Sequence, residues 1–143
     1  MVADCYARTY KTQSILTASP GQLVLMLYDG ALRFIRIAHA ALEAGVRDPR
    51  CIETIHTNIL KAQNIIAELR GGLDHEAGGD LAVTLDRLYD YYTRRLFEAN
   101  LKKNIIPLAE VERLLTELRN AWEEMLRSGG ADSPVRGSVE SSA

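Results

Sequence analysis

The sequence predicts an all-α protein, an antiparallel up-down four-helix bundle, and three observations predict it. Four segments carry apolar residues at alternating spacings of three and four, the period that keeps one helix face inward. Their starts and stops are punctuated by capping residues, prolines and glycines. No run alternates with the strand period over five or more residues.

The first helix opens at Ser19-Pro20, an N-cap followed by proline at the first helical position, with Gln22 placed to complete a capping box. Leu23, Leu27, Gly30, Phe34, Ile37 and Ala41 form the stripe read as its inner face, and Gly45 can end it. The second opens at Asp48-Pro49, carries Ile52, Ile55, Ile59, Ala62, Ile66 and Leu69, and closes at Gly71-Gly72. Residues 73–79 read as a loop. The third helix starts near Asp80, with Leu81, Leu85, Leu88, Tyr92, Leu96 and Ala99 on its inner face. The fourth starts around Pro107, a residue tolerated in a first turn, and carries Leu108, Val111, Leu115, Leu118, Trp122 and Met125 before Gly129-Gly130. Helices of roughly 20 to 24 residues are about 30 to 36 Å long, and matched lengths with short links favour antiparallel neighbours. Residues 19–127 thus make the bundle, preceded by a flexible leader, 1–18, and followed by a polar, Gly- and Ser-rich disordered tail, 128–143.

The chain has 143 residues, 47% of them apolar and 25% charged, enough for one domain to bury a core without metals or disulfides. A formal charge of -2 gives no general attraction to nucleic acid or to an anionic membrane. Residues 1–18 lack the apolar core of a signal peptide, and Asp29, Arg33 and Arg36 interrupt the longest apolar stretch, so no membrane insertion is expected. Cys5 and Cys51 read as free thiols of a reducing compartment, which places the chain in the cytoplasm.

Candidate chemistry is sparse. A di-iron bundle needs two Glu-x-x-His pairs; Glu53 and His56 form one, no second exists, and a solvated surface pair is the better account. His39, in His39-Ala40-Ala41-Leu42-Glu43, invites comparison with phosphotransfer bundles, but the lysine and glycine of that pattern are absent. No phosphate-binding loop and no nucleophile elbow is present. The residues therefore predict no enzyme and no cofactor, with a ferritin-like metal enzyme or a phosphorelay module as the alternatives. Asp29 with Arg33, Asp90 with Arg94, Glu98 with Lys102 and Glu123 with Arg127 stand at i, i+4 and read as surface pairs.

The helices are more apolar than one inward stripe requires. The first carries a second series, Val24, Tyr28, Ala31, Ile35, Ala38 and Leu42, and the fourth adds Leu114, Ala121 and Leu126. The third bears Tyr89, Tyr91 and Tyr92; Tyr91 lies roughly 200° around from Tyr89, so one ring must sit at the edge of the core or outside it. Most of this surplus widens the core-facing stripe, and the rest is free to line a groove for an amphipathic helix or an extended apolar segment. Val24, Tyr28, Ile35, Tyr89, Tyr91 and Tyr92 are the candidate partner-binding residues, together with Tyr6 and Tyr10 of the leader, which can fold over the same groove when it is empty.

The run Ser19-Pro20-Gly21-Gln22-Leu23-Val24-Leu25-Met26-Leu27-Tyr28-Asp29-Gly30-Ala31 resembles the opening helix of the flagellar secretion chaperone family FliS. Gly78-Gly79-Asp80-Leu81-Ala82, then Leu88-Tyr89-Asp90-Tyr91 and Arg94-Arg95-Leu96-Phe97-Glu98-Ala99-Asn100, are similar to its middle signature, and Glu110-Val111, Leu114-Leu115 and Ala121-Trp122 to its last helix. The likeness covers about residues 6 to 126 in order; Gly21 stands where an acidic or polar residue is common, and Tyr92 where methionine is frequent. It implies a cytoplasmic chaperone that binds the disordered C-terminal segment of flagellin, prevents premature polymerisation and docks at the flagellar type III export gate without using a nucleotide. The resemblance gives Tyr6 a part in leader docking and partner contacts. A homodimer is a further possibility that the sequence leaves open.

Overall fold

The computed structural model describes residues 19–129; the leader with Cys5, Tyr6 and Tyr10, and the tail beyond Gly129, lie outside the described residues. Four helices account for nearly all of the described chain: α1 Pro20–Ala44, α2 Pro49–Gly71, α3 His75–Lys102 and α4 Ile105–Arg127. They form an all-α four-helix bundle. Each helix packs against its sequence neighbours, and α4 closes the ring against α1. Cross-helix pairs fix the antiparallel registers: Gln63 of α2 donates to the Thr93 carbonyl of α3, and His56 meets Asn100, so partner numbers sum to 156 in both cases.

The caps work as their residue types dictate. Ser19 Oγ accepts from Gln22 N at 3.1 Å, Asp48 accepts from Arg50 N, and Asn104 accepts from Ile106 N. Gly45, at φ 105°, ends α1 in a backbone region that side chains avoid. The structure departs from the sequence reading at two helix starts. Residues 75–78 make a helical turn capped by Asp74, so α3 begins at His75 and breaks at Gly79, where φ is 52°, instead of following a loop. Asn104 caps α4 two residues earlier than expected, and Pro107 falls within its first turn, where a missing N–H costs nothing.

The inner face of α1 is also corrected. Its buried residues are Gly21, Val24, Tyr28, Ala31, Leu32, Ile35 and Ala38, five of them from the series expected to be surplus, whose sixth member, Leu42, is half-buried. Leu23, Leu27, Phe34 and Ala41 are only half-buried, and Ile37 is exposed. The two series lie one residue, about 100°, apart, so helical spacing alone cannot choose between them. The other helices bury most of the expected stripes, though Ile52 and Leu81, near helix starts, are exposed and Leu88, Leu118 and Met125 are half-buried.

Aromatic side chains settle the choice for α1. Tyr28 and Tyr89 meet across the bundle with their hydroxyls 2.6 Å apart, fully buried. Trp122 presents its edge to the Tyr28 ring at 6.0 Å between centroids, and its indole N–H donates to the Gly21 carbonyl at 2.9 Å. A Cβ at Gly21 would stand 2.5 Å from a methyl carbon of Leu126, so glycine there lets the start of α1 settle against the end of α4. No buried side-chain polar atom among the described residues lacks a hydrogen-bond partner.

Two phenols that satisfy each other make a sharp test. Tyr28→Phe and Tyr89→Phe each strand one buried hydroxyl, and each is expected to destabilise the protein by about 1 to 3 kcal/mol. The double variant removes both polar groups and should cost clearly less than the sum of the single changes, as read from urea unfolding midpoints.

Candidate partner-binding surface

The bundle divides its outside unevenly. The seam between α1 and α4 is polar. Arg119 donates twice to the carboxylate of Asp29, at 2.7 and 3.4 Å, which takes Asp29 away from the expected intrahelical pair with Arg33. His39 sits between Glu112 of α4, 2.5 Å from Nδ1, and Glu43 of its own helix, 2.9 Å from Nε2. Arg36 approaches the other oxygen of Glu112 at 3.6 Å. The α3–α4 seam is closed in the same way: Glu110 accepts from Tyr91 and from Arg95, and Arg95 also reaches Glu98. The bonds from Arg95 and Tyr91 hold the Glu110 carboxyl below its ordinary range.

The seam between α1 and α2 is apolar. Gly30 lets α2 approach, since a Cβ there would lie 3.3 Å from the Ile65 terminal carbon. Along it run Leu23, Leu27, Phe34, Ile37 and Ala41, one strip down the length of α1, about 37 Å for its 25 residues. The Arg33 guanidinium lies 4.8 Å and the Lys61 ammonium 5.3 Å from the centre of the Phe34 ring, so the middle of the strip is apolar with a cationic border. Ile37 is 41% exposed. A strip of this length and chemistry matches the apolar face of a partner helix or an extended apolar segment.

The residues singled out from the sequence fall into three groups. Val24, Tyr28, Ile35, Tyr89 and Tyr92 are buried in the core, where they hold the helices together beneath any surface a partner could touch. Burial pushes the Tyr28 phenol far above its ordinary value, and those of Tyr89 and Tyr92 up to about 12, so all three are neutral. Tyr91 is the ring at the edge of the core, half-buried with its hydroxyl on Glu110. Tyr6 and Tyr10 lie outside the described residues. The half-exposed strip was present in the sequence but assigned to the inside; its signal was the doubling of apolar series on one helix.

The other candidate chemistries meet particular geometry. Among the described residues no group of three or more His, Cys, Asp or Glu side chains is placed to hold a metal ion, and His56 pairs with Asn100 at 2.9 Å. Both ring nitrogens of His39 face carboxylates, which occupy a nucleophilic nitrogen and repel an incoming phosphoryl group. No described helix is long and apolar enough to cross a membrane.

A self-satisfied helical core that leaves a long apolar strip outside defines a small helical binding protein. The chain belongs to the FliS family: the model of flagellar protein FliS matches residues 2–129. It is 41% identical over 130 residues to the flagellar secretion chaperone FliS of Bacillus subtilis, covering 91% of this chain and 92% of that one. To the Salmonella typhimurium protein of the same name it is 39% identical over 121 residues, covering 84% and 86%. To that of Escherichia coli it is 35% identical over 126 residues, covering 87% and 89%.

The His39 cluster gives a pH dependence with a definite sign. The hydrogen bond to Glu112 raises the His39 pKa above 6.5 in the folded state. The protonated ring therefore contributes stability that is fully present below its unfolded pKa of about 6.5 and is lost as pH rises through the higher folded value. The urea midpoint of the wild type should fall as pH rises past about 6.5, and His39→Gln should flatten that fall.

Proposed function

We propose that this chain is a cytoplasmic export chaperone that binds the C-terminal segment of flagellin, keeps it from polymerising prematurely and delivers it to the flagellar export gate. The observation that carries the reading is the α1–α2 strip, large apolar side chains held at the surface of a bundle whose core needs nothing more. The names of the relatives, flagellar secretion chaperones, support the general role. A client segment that is disordered when free gains its order on the chaperone by burying its apolar side against Leu27, Phe34 and Ile37. Binding needs no cofactor or nucleotide in this reading, because burial of apolar area supplies the driving force. Tyr6 and Tyr10 are assigned client contacts alongside the strip, and the buried tyrosines set the rotation of α1 that presents it.

Co-purification tests this directly. Full-length flagellin should be retained on the immobilised chain, and flagellin lacking its C-terminal segment should not. Ile37→Glu and Phe34→Ser should weaken retention by about tenfold or more while the thermal midpoint stays near that of the wild type. Undiminished binding of the truncated flagellin would rule the reading out.

A further inference from the structure

The end of the bundle where α1 passes into α2 and α3 into α4 is unlike the rest of the surface. Five large apolar side chains are exposed there: Val46, Ile52, Phe97, Leu101 and Ile106. Three of them are the most exposed large hydrophobics among the described residues, at 59% for Phe97, 70% for Leu101 and 68% for Ile106. Two shallow clefts open between them. His56, Phe97, Asn100, Leu101 and Lys103 line one, and Leu42, Val46, Lys102, Lys103 and Ile105 are among those lining the other. Lys103 belongs to both, so the clefts are adjacent.

The charge at this end is one-sided, in a chain of net charge -2. Lys103 lines both clefts and Lys102 one of them, and no acidic residue lines either; Arg50 lines a separate depression beside Glu53. Most neighbouring carboxylates are already engaged: Asp48 caps α2, Glu43 faces His39, and Glu98 is shared by Arg95 and Lys102. Among the described residues no carboxylate lies within ion-pair distance of Arg47, Arg50 or Lys103, and Glu53 on the outer face of α2 is the nearest acid without such a partner. Lys103 is the only described non-glycine residue with positive φ, 50°, and its ammonium donates to the carbonyl and side-chain oxygens of Asn100 at 2.6 and 2.5 Å. Partial burial without a carboxylate lowers its pKa.

We propose that this end of the bundle is a second docking site, separate from the α1–α2 strip, for an amphipathic helix of another protein whose apolar face is flanked by carboxylates. Phe97 and Leu101 receive the apolar anchors, and Lys103, with Lys102, pairs the flanking acids. Charge complementarity selects the occupant: an apolar surface alone accepts any greasy helix, whereas this rim discriminates by sign. A nucleic acid is disfavoured, since large aliphatic groups occupy the centre where phosphates would lie. An anionic bilayer shares the chemistry of acids beside apolar groups, and vesicle competition separates it from a helix.

The test uses the full chain and a labelled synthetic helix of roughly 18 residues, about 27 Å long, with leucines at i, i+3, i+4 and i+7 flanked by glutamates. A twin carries glutamine in place of each glutamate. By fluorescence anisotropy the glutamate helix should bind about tenfold tighter or more than its twin. Lys103→Gly, which suits the left-handed backbone, combined with Lys102→Gln should bring that ratio close to one. Leu101→Ser should remove the preference for the glutamate helix over its twin, and Ile37→Glu on the strip should leave that preference unchanged. Circular dichroism melts confirm that each variant is folded. Equal affinity of the twins, a preference that survives the double variant, or displacement of the glutamate helix by phosphatidylglycerol vesicles would overturn the proposal.

Discussion

The rotation of α1 about its own axis is the constraint on which the rest of the structure depends, and the Tyr28–Tyr89 hydrogen bond is what fixes it. A buried hydroxyl without a partner is costly, and the two phenols satisfy each other only when Tyr28 points across the bundle at α3. Trp122 locks the same rotation from α4, by its edge-on contact with the Tyr28 ring and its bond to the Gly21 carbonyl. With α1 so oriented, Ala31 and Ala38 face the interior, where their small size suits close packing, and Phe34 and Ile37 are carried to the outside. Turning α1 by one residue would exchange the two series, strand the hydroxyls and bring Phe34 inward.

Electrostatics then separates the seams. The α1–α4 and α3–α4 contacts are bordered by ion pairs such as Arg119–Asp29 and Arg95–Glu110, which solvent screens and which add little to stability. Their larger effect is on specificity, because charged borders make those seams poor places for an apolar segment to lie. Among the described residues the α1–α2 seam has no such closure beyond the cations over Phe34. One side of the bundle is thereby left suited to an apolar partner, and the outer end near Lys103 to one that also carries acids.

This division fits a flagellar secretion chaperone. A protein that must hold an unfolded client cannot rely on the client for its own core, or it would unfold between rounds of binding. Here the core is closed and its polar atoms are paired among the described residues, while apolar surface remains outside. In the proposed function stability and binding reside in different residues: the tyrosines and Trp122 serve the first, and the strip along α1 is assigned the second.

By itself the sequence determined the four helices, the N-caps of the first two and the family. These rest on local physics: Ser19 and Asp48 cap because their side chains reach the N–H groups just ahead of them, and Gly45 ends α1 because it tolerates φ 105°. It also required one tyrosine of the third helix to lie at the core's edge, and Tyr91 does. Only the tertiary structure decided which of the two apolar series of α1 faces inward, since both obey the same spacing and differ by a rotation that no local signal fixes. It decided likewise that Asp29 pairs with Arg119 ninety positions away instead of with Arg33, and that His39 lies between two glutamates. Those outcomes depend on which side chains the packing brings opposite one another, and that is set by the registers of all four helices together.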